Sequence, residues 1–162
     1  MRRLSFIGIV AAVIMQLCGC SANNCPLESS VFCNYGFYDS EGKAISYNDA
    51  ITISIRIPSS GKDSIIINQL SGASSLKIPM SYFYKTDTLI MSYASLVRND
   101  TIIVSHESYA HVDLPECGTK YFHELKGIWS SSTGIDKIEI VNPVVDYQGW
   151  ENIKIYFNGV AE

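Results

Sequence analysis

Apolar and polar residues alternate with period two over most of the chain. The clearest run is Ile51-Thr52-Ile53-Ser54-Ile55-Arg56-Ile57, with isoleucine at every odd position and a polar side chain at every even one. Successive side chains of an extended chain point to opposite faces, so this pattern predicts a half-buried strand. Ile153, Ile155 and Phe157 alternate with Asn152, Lys154 and Tyr156. Leu76, Ile78 and Met80 alternate with Ser75, Lys77 and Pro79, and Ile138 and Ile140 with Lys137 and Glu139. Val31, Cys33, Tyr35 and Phe37 share one face, and shorter β-branched or aliphatic runs stand at 64–67, 88–93 and 101–105. Turn chemistry separates the runs: Ser40-Glu41-Gly42, Ser59-Ser60-Gly61, Asn99-Asp100, Gly118, Gly134, Asn142-Pro143 and Gly149. No stretch keeps a helical period. Short strands joined by turns predict an all-β fold, an antiparallel immunoglobulin-like β-sandwich of about seven or eight strands.

The first twenty residues break this pattern. Arg2 and Arg3 precede an uncharged, mainly apolar run from Leu4 to Met15. Twelve residues are too few to cross a hydrocarbon core as a helix, which takes ~20, but they suit the apolar core of an export signal. Leu17-Cys18-Gly19-Cys20 follows and resembles the lipobox of bacterial lipoproteins. That resemblance implies cleavage before Cys20 and a diacylglyceryl group on its thiol. The expected organisation is a signal peptide at 1–19, a lipidated tether at 20–28 and a single domain at 29–162. The lipid bilayer is then a partner through the Cys20 anchor.

The mature chain would hold 162 − 19 = 143 residues, with 12 − 2 = 10 Lys+Arg against 16 Asp+Glu, a net −6. An acidic chain without a basic cluster argues against nucleic acid. Ser21, Ala22, Asn23 and Asn24 carry no charge. The resemblance to bacterial lipoproteins implies that export to the cell surface would need acidic residues there, so the expected location is the cell envelope, at the outer membrane and facing the periplasm. An exported chain meets an oxidising compartment, and Cys25, Cys33 and Cys117 allow one internal disulfide.

Candidate chemistry concentrates at 106–124, where His106, His111, Asp113, Cys117, His123 and Glu124 crowd together. These are metal-ligand types. His106 and His111, however, are an odd number of residues apart and fall on opposite faces of a regular strand, unless a bulge intervenes. No HExxH, GxSxG, GxGxxG or P-loop occurs, so no metal or other cofactor has a recognisable handle. Tyr82-Phe83-Tyr84, Trp129, Tyr147 and Trp150 are rings of the kind that stack on sugars, although core filling uses the same residues.

Several segments, taken in order, carry a resemblance. They are Cys25; Gly36-Phe37-Tyr38-Asp39; Leu76-Lys77-Ile78-Pro79-Met80; Asp87-Thr88-Leu89-Ile90 with Tyr93; Cys117-Gly118; Ile135-Asp136-Lys137-Ile138 with Val141-Asn142-Pro143; and Asn152-Ile153-Lys154-Ile155-Tyr156-Phe157. Together they resemble a family of small Bacteroidota lipoproteins known only as a domain of unknown function (number 6452). The resemblance implies the envelope compartment and a Cys25–Cys117 disulfide, and leaves Cys33 additional to the family pattern. Asp63-Ser64-Ile65, Asp87-Thr88-Leu89 and Asp100-Thr101-Ile102 resemble the acceptor motif of O-glycosylation in the same phylum, which would make Ser64, Thr88 and Thr101 acceptors. The expected function is a membrane-anchored, non-catalytic module that binds or scaffolds an envelope protein or glycan. The alternatives are an envelope hydrolase and a metal-binding lipoprotein using residues 106–124.

Overall fold

The structure, a computed structural model, describes residues 31–96, 98–114 and 117–157. The expected signal peptide at 1–19, the lipidation candidate Cys20, the expected tether and Cys25 lie outside the described residues.

The alternating runs become strands wherever they were expected. In chain order they are β1 (Cys33–Tyr38), β2 (Ile51–Arg56), β3 (Asp63–Leu70), β4 (Ser75–Ile78), β5 (Thr86–Tyr93), β6 (Asn99–His111), β7 (Lys120–Ser130), β8 (Ile135–Ile140), β9 (Val144–Val145) and β10 (Ile153–Phe157). They form a four-stranded sheet, β4-β1-β10-β8, and a six-stranded sheet, β3-β2-β5-β6-β7-β9. All pairs are antiparallel except β1 with β10. Among the described residues no helix is long and apolar enough to cross a membrane.

The eight runs read from the pattern thus become ten strands. β7 and β9 are the additions. In β7 the period breaks, because the partner of Ser105 is Gly127 while the partner of the next residue, His106, is Leu125. Lys126 is the extra residue of a bulge, which reverses the pleat on one strand only. Gly127 fits the bulge because a Cβ there would come within 2.9 Å of Ser105 Oγ.

The core fills the space between the sheets. Cys33, Tyr35, Phe37, Leu76, Ile78, Ile153, Ile155 and Phe157 face it from one side, and Ile51, Ile53, Leu89, Met91, Tyr93, Ile102, Val104 and Leu125 from the other. Phe157 anchors an aromatic cluster, with ring centroids 5.1 Å from Phe37 and 4.4 Å from Tyr47.

The four sheet edges differ. β9 has two residues and β4 four, and β8 carries Asp136, Lys137 and Glu139. Short or charged edges discourage pairing with another chain. β3 has eight residues and no charge after Asp63, with Ile65 61% exposed. Two register shifts against β2 and the positive φ of Gln69, 50°, bend this edge instead.

Candidate functional site

The register of the strands gathers distant residues at one end of the sandwich. β6 and β7 run past the start of β5 as a hairpin that pairs His111 with Lys120. The connection from β4 to β5 folds against this hairpin. His106 N–H donates to Lys85 carbonyl at 2.9 Å, and Ser108 Oγ to Ser81 carbonyl at 3.3 Å. Asp87 Oδ2 accepts Ser81 N–H at 3.0 Å and lies 3.1 Å from His106 Nε2. Ser108 Oγ in turn lies 2.9 Å from His123 Nδ1 and 3.5 Å from His106 Nδ1. The result is a polar chain, Asp87–His106–Ser108–His123, between the sheets, with both imidazoles buried.

Parity explains why these polar groups point inward. On β5 the buried positions are odd, so Asp87 shares a face with Leu89, Met91 and Tyr93; on β6 they are even, so His106 shares one with Ile102 and Val104. A buried polar atom without a partner costs about 1–3 kcal/mol, so inward polar groups collect into networks. No buried side-chain nitrogen or oxygen among the described residues lacks a partner. Cys33 belongs to the same region. Its thiol is free and buried, and burial pushes its pKa up to about 12, with Tyr35 hydrogen-bonded to it lowering it and nearby Asp87 raising it. That thiol is inert as a nucleophile at neutral pH.

Burial pushes the His123 pKa down to about 4, with a second lowering from the nearby His106 ring, partly opposed by Asp87. His123 is therefore neutral at pH 7. An unfolded histidine titrates near 6.5, so below that pH the unfolded chain takes up a proton the folded chain refuses. Stability should fall as pH drops from 6.5 towards 4, by on the order of 2 kcal/mol. Urea titrations at several pH values measure this. His123→Asn, which keeps a donor towards Ser108, should flatten the dependence; an identical acid loss in wild type and variant would refute the assignment.

Exposed rings stand on the 81–85 segment that is bonded to the polar chain. Tyr82 stacks on Tyr121 at 4.6 Å and 16°, and packs on Phe83 at 4.2 Å. Phe83 is 78% exposed and Tyr84 is exposed too, while Tyr109 is exposed on the opposite face of β6, against Phe122. On the outer face of the hairpin His111 stacks on Phe122 at 4.3 Å, and Tyr147 packs edge-on against Phe122 at 5.3 Å. Asp113 ties this cluster together, accepting from Tyr147 hydroxyl at 3.2 Å and Lys120 Nζ at 3.2 Å and lying 3.0 Å from His111 Nε2. The His111 hydrogen bond, then those of Lys120 and Tyr147, hold the Asp113 pKa below the usual carboxylate value. His106 and His111 do fall on opposite sides of β6. Among the described residues no three His, Cys, Asp or Glu side chains converge as a metal-binding set.

A second buried carboxylate stands elsewhere. Asp100, at the start of β6, accepts hydrogen bonds from Tyr93 hydroxyl at 2.8 Å and Ser131 hydroxyl at 2.7 Å. It also accepts from the backbone N–H groups of Thr133 at 2.8 Å, Gly134 at 2.7 Å and Ile135 at 3.1 Å. Burial alone would raise its pKa, but these donors together hold it below the usual value. This carboxylate ties the β7–β8 connection to the large sheet.

The three glycosylation candidates separate by exposure. Ser64 lies exposed on edge strand β3, whereas Thr88 and Thr101 are half-buried on inner strands β5 and β6. The Asp of each inner motif is occupied inside the fold, Asp87 by His106 and Asp100 by its five donors. Cys117 sits in the β6–β7 connection. Cys25, its expected partner, and the lipidation candidate Cys20 lie outside the described residues. The polar chain and the Asp100 hub had no sequence motif, and the inward parity of Asp87, Asp100 and His106 is the one signal that marks them; the rings of Tyr82-Phe83-Tyr84 stood out in the sequence.

Comparison with curated proteins found no match, and neither did comparison with solved structures. A family model described as a family of unknown function (DUF6452) matches residues 50–157, from the last residue before β2 to the end of β10 and more than half of the chain. The chain belongs to that family.

Proposed function

We propose that the chain is a lipid-anchored envelope lipoprotein whose domain works as a non-catalytic contact module. The lipobox-like Leu17-Cys18-Gly19-Cys20 supports the anchor, and Cys25–Cys117 would pin the tether to the domain. The observation that carries the non-catalytic reading is the commitment of the reactive side chains. Asp87, His106, Ser108 and His123 bond one another and hold the 81–85 segment in place, and that segment exposes Tyr82, Phe83 and Tyr84. A surface of exposed rings suits contact with another body through apolar area. The uncharged residues after Cys20 support the periplasmic face of the outer membrane, and exposure favours Ser64 as the site of any O-linked glycan.

One observation favours a second reading, an envelope hydrolase. Asp87, His106 and Ser108 follow one another in the order of a catalytic triad, at 3.1 and 3.5 Å. Against it, the Ser108 hydroxyl is directed at the Ser81 carbonyl and the imidazole of His106 is wholly buried. A general base must reach the nucleophile's proton within about 3.2 Å. A fluorophosphonate probe, which labels activated serines, decides between the readings. The contact module leaves the probe unreacted; labelling that disappears in Ser108→Ala would establish the hydrolase.

A further inference from the structure

Among the described residues, the exposed rings other than Trp129 crowd the end where the chain enters the fold. β1 begins at Cys33, which pairs with Ile78 at the end of β4, and the ring-bearing segment 82–84 follows within a few residues. The Asn34 side chain donates to Trp150 carbonyl at 3.1 Å, and Trp150 is 66% exposed. Tyr82 reaches Tyr121 near the tip of the β6–β7 hairpin, and Val112 and Leu114 beyond the hairpin are exposed as well. At the other end of β1 the loop exposes Asp39-adjacent polar residues Ser40, Glu41 and Lys43. Four segments remote in sequence therefore place Tyr82, Phe83, Tyr84, Tyr109, Tyr121 and Trp150 around one end of the sandwich.

We propose that this ring-bearing end rests on the bilayer surface, with the rings seated among the lipid headgroups above the acyl chains of Cys20. The proposal deepens the lipoprotein reading and rests on it. Twelve residues lie between Cys20 and Cys33, thirteen steps of chain that span at most ~45 Å when extended, so the anchor keeps this end near the membrane. A Cys25–Cys117 bond would shorten the leash, since Cys117 lies in the hairpin connection at the same end. Tyrosine and tryptophan favour the membrane interface because their rings are apolar at one side and hydrogen-bonding at the other. Phe83 adds an apolar ring with no polar group to satisfy. Tethering makes the contact intramolecular, so a weak interfacial affinity suffices to hold the orientation. Charge does not require an anionic surface: Lys120 is paired with Asp113, Lys126 with Glu124, and the whole chain is acidic. A surface of zwitterionic lipid is the matching partner.

The test uses the acylated full-length mature chain in phosphatidylethanolamine vesicles whose acyl chains carry bromine near the headgroup, a contact quencher of tryptophan. Three single-tryptophan chains report position. One keeps Trp150 (Trp129→Phe). One keeps Trp129 (Trp150→Phe). The third carries Phe83→Trp with both native tryptophans replaced by phenylalanine. Trp129 lies eight residues along β7 from Tyr121, ~26 Å at the rise of a strand, and serves as the remote reporter. The expected result is strong quenching at positions 83 and 150 with emission at 129 unchanged. Emission unchanged at 83 and 150, or equal quenching at all three, would overturn the docking. Intact mass of the same samples keeps the two ideas apart. An acylated chain without selective quenching rejects the docking and leaves the anchor standing, whereas an unacylated Cys20 rejects both.

Discussion

Replacing Asp100 by alanine is expected to destabilise the domain by about 3–5 kcal/mol, the loss typical of breaking a buried charged network. The carboxylate accepts five hydrogen bonds, from Tyr93, Ser131 and the N–H groups of Thr133, Gly134 and Ile135. Alanine would leave those donors facing a buried void. The donors lie on the end of β5, the β7–β8 connection and the first residue of β8, so their loss loosens the join between the two sheets. Gly134 cannot move in to compensate through a larger side chain, because a Cβ there would meet the Tyr93 ring at 2.9 Å. For a domain of this size the melting temperature should drop by roughly 10 °C or more. Asp100→Asn retains the shape and part of the acceptor capacity and should cost less. Tyr93→Phe removes one donor and should cost about 1 kcal/mol. Chemical unfolding followed by circular dichroism measures all three. A loss below about 1 kcal/mol in Asp100→Ala would show that the five bonds are not cooperative support for the fold.

Cys20→Ala is expected to move the protein from the membrane fraction to the soluble fraction. Each buried CH₂ contributes about 0.8 kcal/mol, and a single acyl chain binds only marginally, whereas two or more hold a protein at the bilayer almost permanently. Under the proposed anchoring, the rings at that end would not substitute for that energy. Their role under the account above is orientation, which depends on the tether to keep the local concentration high. Fractionation of cells expressing the wild type and the variant measures the effect. The wild type is expected in the membrane pellet after a high-salt wash and the variant in the supernatant. A variant that stays in the washed pellet would assign membrane attachment to something other than Cys20.

Much of the fold is legible in the chain because alternation is a local property. Ile51 and Ile53, Leu76 and Ile78, and Ile153, Ile155 and Phe157 are buried as their spacing predicts. β7 was illegible for two local reasons. Lys126 forms the bulge and shifts the period, and Phe122 is buried by His111 and Tyr147 although its neighbour His123 is buried on the other face. Two successive buried residues erase the alternation. β9 has two residues, too few to show a period.

The candidate site was legible only in its ingredients. The crowding of His106, Asp113 and His123 was visible, but Asp87 joins His106 across 19 residues and Tyr82 joins Tyr121 across 39. Those meetings depend on the pairing of β5 with β6 and β6 with β7, which no single segment encodes. The Asp-Thr-aliphatic triplets illustrate the limit in another way. In Asp87-Thr88-Leu89 and Asp100-Thr101-Ile102 the acid shares the face of the buried aliphatic residue. The aspartates are structural acceptors inside the fold, and the threonines face outward beside Ile90 and Ile103. The same pattern on edge strand β3 leaves Asp63 at the surface, bonded to Arg56 at 2.9 Å, because β3 packs on one neighbour and little else.

The most direct test of the central claim, a sandwich held to the membrane through Cys20, is the intact mass of the protein extracted from native envelopes. The expected result is a chain that begins at Cys20 and carries a diacylglyceryl group. A chain that begins at Met1, or one that begins at any later residue without added acyl mass, would contradict it.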